Sequence, residues 1–154
     1  MINLRQDIKR LVNNMVEKYH TRNPYELCDY TNILLRTGNL GDVLGCYLLV
    51  KKQKCIMLNE KIIGTPMEKI VLSHELGHSK LHWKNDCYFY GSTFFLKNKE
   101  ENEANTFAAE LLIPDELIYE NPGMTKSQIA RLAGFDEKIM EFKLCPNLDI
   151  TDGI

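Results

Sequence analysis

The stretch P-M-E-K-I-V-L-S-H-E-L-G-H-S-K-L-H, from Pro66 to His82, decides how the rest of the chain is read. His74 and His78 are four apart, and residues at that spacing lie on one face of an α-helix a turn from each other, so both imidazoles can reach a single ion. Glu75 is rotated off that face yet close enough to hold a water beside such an ion. Thr65 as cap, Pro66 at the first helical position and Glu68 three residues after Thr65 predict the start of this helix as a capping box. Ile70, Val71, Leu72, Leu76 and Leu81 make it apolar enough to run through the core, which would fix both histidines on a rigid element.

The spacing is the HExxH pattern of zinc hydrolases. Patterns this short also arise by chance, and two histidines at helical spacing also occur as ordinary core or surface residues. Gly77 bears on the choice: a glycine inside a helix costs ~1 kcal/mol against alanine, which suggests that something approaches the backbone there. A hydrolase site further requires a third ligand downstream.

Working outward, the 154 residues are 44% hydrophobic and 26% charged, enough for one good core. The expected organisation is a main domain over residues 1–120 with a small helical appendage over 121–154. A net charge of -2 and a pI near 6.1 leave no electrostatic footprint for nucleic acid or anionic membrane. No apolar run approaches the ~20 residues of a membrane span. The first twenty residues carry Asp7, Glu17 and several basic groups where a signal sequence has its apolar centre, so a cytoplasmic protein is expected. Cys28, Cys46, Cys55, Cys87 and Cys145 are odd in number and contain no CxxC pair, and they read as buried small hydrophobes or incidental thiols.

Before the histidine stretch, Leu4, Ile8, Leu11, Val12, Met15, Val16 and Tyr19 predict an amphipathic helix over residues 3–19. Asn23 as cap and Pro24 in the first turn predict a second helix, with Leu27, Tyr30, Ile33 and Leu34 as its buried stripe and its end near Thr37 and Gly38. The runs G-C-Y-L-L-V and C-I-M-L-N about K-K-Q-K predict an antiparallel hairpin over residues 44–50 and 54–58. An exposed edge of such a sheet can take up an extended peptide as another strand, although the hairpin could equally serve only to cover the helix.

After the stretch, W-K-N-D-C-Y-F-Y-G-S-T-F-F-L reads as a loop with a short strand around residues 92–96. His82 lies eight residues beyond His74, ~12 Å along a helix, too far for all three histidines to share an ion. It reads as a supporting or substrate-side group, or as a polar helix end. Residues 99–114, K-E-E-N-E-A-N-T-F-A-A-E-L-L-I-P, form a helix with Ala104, Phe107, Ala108, Leu111 and Leu112 on the buried face and Pro114 as the stop. Its leading carboxylates either complement the helix dipole or supply the missing ligand. Farther on, Thr125 or Ser127 begins a short helix ending at Gly134, and Asp136 caps another. This resembles half of a helix-turn-helix, but D-E-K-I-M-E-F-K has three acids against two lysines, so direct nucleic-acid binding is not expected.

H-E-L-G-H with L-H following, and then E-N-E-A-N-T-F-A-A-E-L-L-I-P, together resemble the ImmA/IrrE family of metallo-endopeptidases associated with phages and mobile elements, over about residues 40–120. The resemblance implies an α+β, zincin-like fold of the minimal gluzincin type. Its parts would be N-terminal helices, a small antiparallel sheet, an HExxH helix, a glutamate helix and a C-terminal helical appendage. In related gluzincins the third ligand opens an E-x-x-A-[ND] pattern, which Glu101, Ala104 and Asn105 match, so His74, His78 and Glu101 are the implied Zn2+ ligands. Asn105 would then hydrogen-bond the nitrogen of His74 that faces away from the metal. Glu103 is the runner-up ligand; the two glutamates point about 200° apart on a helix. The position six beyond His78 is Lys84, which excludes a third-histidine metzincin pattern.

Three protein ligands leave one position for water, with Glu75 as the implied general base and later acid of peptide hydrolysis. Tyr88, Tyr90 and His82 are candidates for stabilising the oxyanion. The implied substrate is a helix-turn-helix repressor whose cleavage relieves repression of a phage or mobile element. The alternatives are a non-cleaving metal-containing module that binds a repressor or DNA, and a structural zinc domain. The presence of Glu75 favours an enzyme.

Overall fold

The computed structural model describes residues 4–93 and 98–146. Among these the order is α1 (Leu4–Tyr19), α2 (Pro24–Tyr30), β1 (Leu34–Gly38), β2 (Gly45–Val50), β3 (Gln53–Asn59), α3 (Met67–Leu81), β4 (Cys87–Phe89), α4 (Lys99–Leu112), α5 (Asp115–Tyr119) and α6 (Lys126–Ala133). Two 3-10 turns, Glu60–Ile62 and Glu137–Glu141, complete it. This is the α+β, zincin-like arrangement the resemblance implies. No helix among the described residues is long and apolar enough to cross a membrane.

The sheet has the order β1-β3-β2-β4. The β2–β3 hairpin forms as expected, with Lys51 and Lys52 making the turn at φ 49° and 67°, the left-handed geometry that fits strand twist. β4 joins β2 antiparallel and lies at the sheet edge. The expected antiparallel sheet is therefore mixed, because β1 pairs parallel with β3, Leu34 opposite Cys55.

β1 replaces the second half of the expected second helix. That helix ends at Tyr30, where Thr31 Oγ1 donates to the Leu27 carbonyl (2.7 Å) and Asn32 takes φ 56°. Of the expected stripe, Leu27 and Ile33 are buried, whereas Tyr30 stacks on Tyr19 at the surface and Leu34 is exposed. Of the strand expected around residues 92–96, residue 92 is turn and residue 93 lies in a 3-10 turn, the rest lie outside the described residues, and a strand forms earlier, at Cys87–Phe89.

Helix α3 starts without the expected capping box: its cap is Pro66, which makes no side-chain hydrogen bond to the helix. Thr65 Oγ1 instead donates to the Ile62 carbonyl (2.7 Å), while Glu68 accepts from the Gly64 N–H (3.0 Å) and the Tyr25 hydroxyl. α3 crosses the molecule between the sheet and α4 with residues Ile70 to Ser79 buried throughout. Gly45 is where β2 lies closest, since a β-carbon there would collide with Val71.

Two apolar clusters meet on α3. Val71, Leu72 and Leu76 join Ile8, Val12, Leu27, Tyr47, Ile56, Leu58, Phe89 and Phe107, while Ile70 joins Ala109, Ile113, Ile118, Ile129, Ile139 and Met140. Thr125 caps α6 in a true capping box with Gln128, Gly134 ends it at φ 90°, and Asp136 caps the last 3-10 turn. The C-terminal segment is tied down by a buried charge network. Lys143, whose side chain is 1% exposed, places Nζ 2.7 Å from Glu110 Oε2 and 2.6 Å from Asp115 Oδ1. The Leu144 N–H donates to Glu110 Oε1 (2.7 Å), and Lys9 reaches Asp115 from α1.

Candidate metal centre

The His74 and His78 rings emerge from adjacent turns of α3 and meet edge to face, 4.7 Å apart. Their Nε2 atoms are 3.0 Å from each other, and Glu101, from the first turns of α4, lies 3.0 Å from His74 Nε2 and 3.1 Å from His78 Nε2. α4 is anchored for this by Asn98, whose Oδ1 accepts from the Glu100 N–H (2.9 Å). It packs tightly on α3 at Gly77, where a β-carbon would stand 3.0 Å from Phe107 Cβ. The close approach anticipated at Gly77 is thus the packing of one helix onto the other.

The hydrogen bonds around the rings decide what the three facing atoms are. His74 Nδ1 is 2.6 Å from Asn105 Oδ1, an acceptor, so the proton of that ring sits on Nδ1. His78 Nδ1 is 3.0 Å from His82 Nδ1, and His82 Nε2 is 2.6 Å from Glu103 Oε2. Because the Glu103 carboxylate only accepts, His82 carries its proton on Nε2, and its bare Nδ1 takes the proton of His78. Both inner Nε2 atoms are then lone pairs facing a carboxylate, a mutually repulsive set unless a cation stands among them. Glu101 Oε2 accordingly has no hydrogen-bond partner although it is buried. The donor atoms of His74, His78 and Glu101 all lie within 4.8 Å of one another, and a tetrahedral site with ~2.0–2.1 Å bonds needs neighbours about 3.3 Å apart. Two imidazoles and a carboxylate therefore fit a divalent ion in number, chemistry and spacing.

Burial alone would raise the Glu101 carboxyl, but wherever the facing imidazoles carry protons their hydrogen bonds and charge outweigh it and lower it to about 2, and a cation between proton-free nitrogens favours the carboxylate in the same way. Glu75 is different. Completely buried beside the imidazoles, it is pushed by desolvation up to about 8, with Glu101 adding to the rise and His78 and Cys87 opposing it. The Cys87 thiol donates to Glu75 Oε2 at 2.6 Å, and Glu75 Oε1 has no hydrogen-bond partner. The thiol itself is driven far above its ordinary range by burial and by Glu75.

The structure thus brings His74, Glu75, His78 and Glu101 together, with the Asn105 hydrogen bond where it was expected. Glu103, the runner-up ligand, points instead to His82. Both ring nitrogens of His82 are engaged, which removes it from the oxyanion candidates, while Tyr88 and Tyr90 stand exposed on β4 and just beyond it. The sequence reads Cys87 as a buried small hydrophobe or an incidental thiol. Its contact with Glu75 depends on β4 folding back over α3, for which the sequence carries no spacing signal.

A family model for peptidases described as the IrrE N-terminal-like domain matches residues 28–144. The chain is 39% identical over 140 residues to "Uncharacterized immunity region protein 2" of Bacillus phage phi105, covering 88% of each protein. It is 31% identical over 144 residues to "Metallopeptidase ImmA" of Bacillus subtilis (strain 168), covering 89% of this chain and 83% of that one.

Proposed function

Since the chain belongs to the IrrE N-terminal-like peptidase family and is a metallopeptidase, we propose that it is a zinc-dependent endopeptidase in which His74, His78 and Glu101 hold the metal and Glu75 is the general base. The observation that carries this reading is the convergence of the His74 and His78 Nε2 atoms and the Glu101 carboxylate on one point. When bound there, a divalent ion supplies a Lewis acid for the peptide carbonyl and the attacking water, together with a positive charge that favours the Glu75 anion.

The chain's own residues supply the rest. The Cys87 thiol holds Glu75 Oε2, which leaves Oε1 free to take the proton of the attacking water. A buried carboxyl with a raised proton affinity takes that proton more readily, and it can still pass it to the departing amine because the amine is the stronger base. Asn105 and His82 fix the rings of His74 and His78 by their outer nitrogens. β4, at the sheet edge, offers its outer backbone row to an extended peptide, with Tyr88 on its exposed side.

The substrate in this reading is a helix-turn-helix repressor in the cytoplasm, cleaved to relieve repression of a phage or mobile element. The immunity-region name of the phage phi105 relative supports that context. Glu75→Gln tests the proposal, since it keeps the side chain's shape but removes the base. We expect zinc and partner binding to persist while turnover falls by about 10²–10⁴. The trapped partner is then captured on the variant and digested with the wild-type protein, and its fragments are identified by mass spectrometry. Cleavage by the variant at the normal rate would refute the role of Glu75. A partner that binds both forms and is cut by neither would favour a non-cleaving regulatory module.

A further inference from the structure

The geometry points to a second task for the residues behind His78: we infer that His82 and Glu103 form a relay that positions His78 for metal binding, an inference that rests on the ligand set proposed above. His82 is the first residue past the end of α3, with φ -133° and ψ 43°, and its N–H still bonds to the His78 carbonyl (2.8 Å). Leaving the helix there turns its ring back onto that of His78, with centroids 5.1 Å apart and Nδ1 to Nδ1 at 3.0 Å. Its far nitrogen meets Glu103 Oε2 at 2.6 Å, and both side chains are mostly buried, 8% and 13% exposed.

With both imidazoles neutral and Glu103 a carboxylate, these contacts fit one arrangement. Glu103 accepts from His82 Nε2–H, His82 Nδ1 accepts from His78 Nδ1–H, and His78 Nε2 is left as a lone pair aimed at Glu101. The negative charge of Glu103, passed through the His82 ring, makes His78 Nε2 a more basic donor and blocks rotation of its ring. His74 has a shorter support, a single neutral amide from Asn105. The two imidazoles are therefore held unequally, His78 by a charged chain and His74 by a dipole. α4 supplies the third donor through Glu101 and both outer supports through Glu103 and Asn105, with successive members two residues apart on the same helix.

Partners of this kind typically change metal affinity by about 10- to 100-fold when lost. The test is Zn2+ affinity by competition with a chromogenic chelator, together with urea unfolding of each metal-free protein. His82→Ala and Glu103→Ala are expected to bind Zn2+ about 10- to 100-fold more weakly, with metal-free unfolding midpoints moving far less than the affinity. His82→Asn places an amide oxygen close to the position of Nδ1 and should recover most of the loss. Glu103→Gln keeps the acceptor and should lose less than Glu103→Ala. If His82→Ala does not fold, His82→Asn and the two Glu103 variants carry the test. Variants that all bind Zn2+ as wild type does, or a loss in His82→Asn equal to that in His82→Ala, would overturn the relay. A wild-type protein that binds no Zn2+ would instead overturn the ligand set, and the relay with it.

Discussion

Replacing Gly77 by alanine sets two ordinary effects against each other, and the structure says which prevails. In a helix interior the change should stabilise by about 1 kcal/mol through backbone entropy. The added methyl, however, would stand 3.0, 3.1 and 3.2 Å from Cβ, Cγ and Cδ1 of Phe107, where carbon pairs prefer about 3.5–4.0 Å. These atoms are the root of the phenylalanine, not a movable tip, so relief requires α4 to retreat by roughly half an ångström, and overpacking of this kind costs about 1–3 kcal/mol. The net expectation is a loss of up to about 2 kcal/mol, read from urea unfolding of the metal-free protein. Glu101 lies six residues before Phe107 on the same helix, so the retreat also moves its carboxylate from the imidazoles, and Zn2+ affinity should fall several-fold in a chelator competition. A Gly77→Ala protein that is more stable by about 1 kcal/mol, with unchanged affinity, would refute the argument that α3 and α4 meet at this glycine.

Cys87→Ser, which keeps a donor for Glu75 Oε2, should retain far more peptidase activity than Cys87→Ala, with the difference in kcat rather than KM; equal rates would show that the thiol does not orient the base. Removing the metal with a chelator should lower the melting temperature, since a ligand present at a hundred times its Kd stabilises the folded state by about 2.7 kcal/mol, and a melting temperature indifferent to Zn2+ would count against the site. Asp115 is held below the ordinary carboxylate range because its hydrogen bonds and charge contacts with Lys143 and Lys9 outweigh desolvation. Its contribution to stability is therefore complete above the unfolded value of about 3.9 and disappears as the pH falls through the lower folded one. Asp115→Asn should be less stable than wild type at pH 7, and the gap should close below about pH 4; a gap independent of pH would contradict this assignment.

The parts of the site that lie on one helix were legible in the sequence, because helical spacing fixes which residues share a face. That held for His74 with His78 and for Ala104, Phe107, Ala108 and Leu111 on α4. The choice between Glu101 and Glu103 was not legible, as it depends on how α4 is rotated where Phe107 packs on Gly77. The two carboxylates end on opposite sides of His78, one by its inner nitrogen and the other behind its outer one. β1 was misread for a similar reason. Ile33 and Leu34 continue the apolar spacing of α2, and what makes Leu34–Gly38 a strand is the later β3, which gives its backbone a partner. At α3 the residues of a capping box were present, but the Glu68 carboxylate went to Gly64 and Tyr25, contacts with no local signature.

The ion pair between Lys143 and Glu110 has a consequence for the order in which the molecule can be made. Glu110 leaves the ribosome 33 residues ahead of Lys143, and until then its cation is Lys9 at 4.0 Å, so an ionised carboxylate is costly to desolvate before the closer partner arrives. Until then it stays in water, and α4, which presents Glu101 at its other end, cannot settle fully against α3. A nascent chain therefore cannot finish bringing Glu101 to His74 and His78 until Lys143 has left the ribosome.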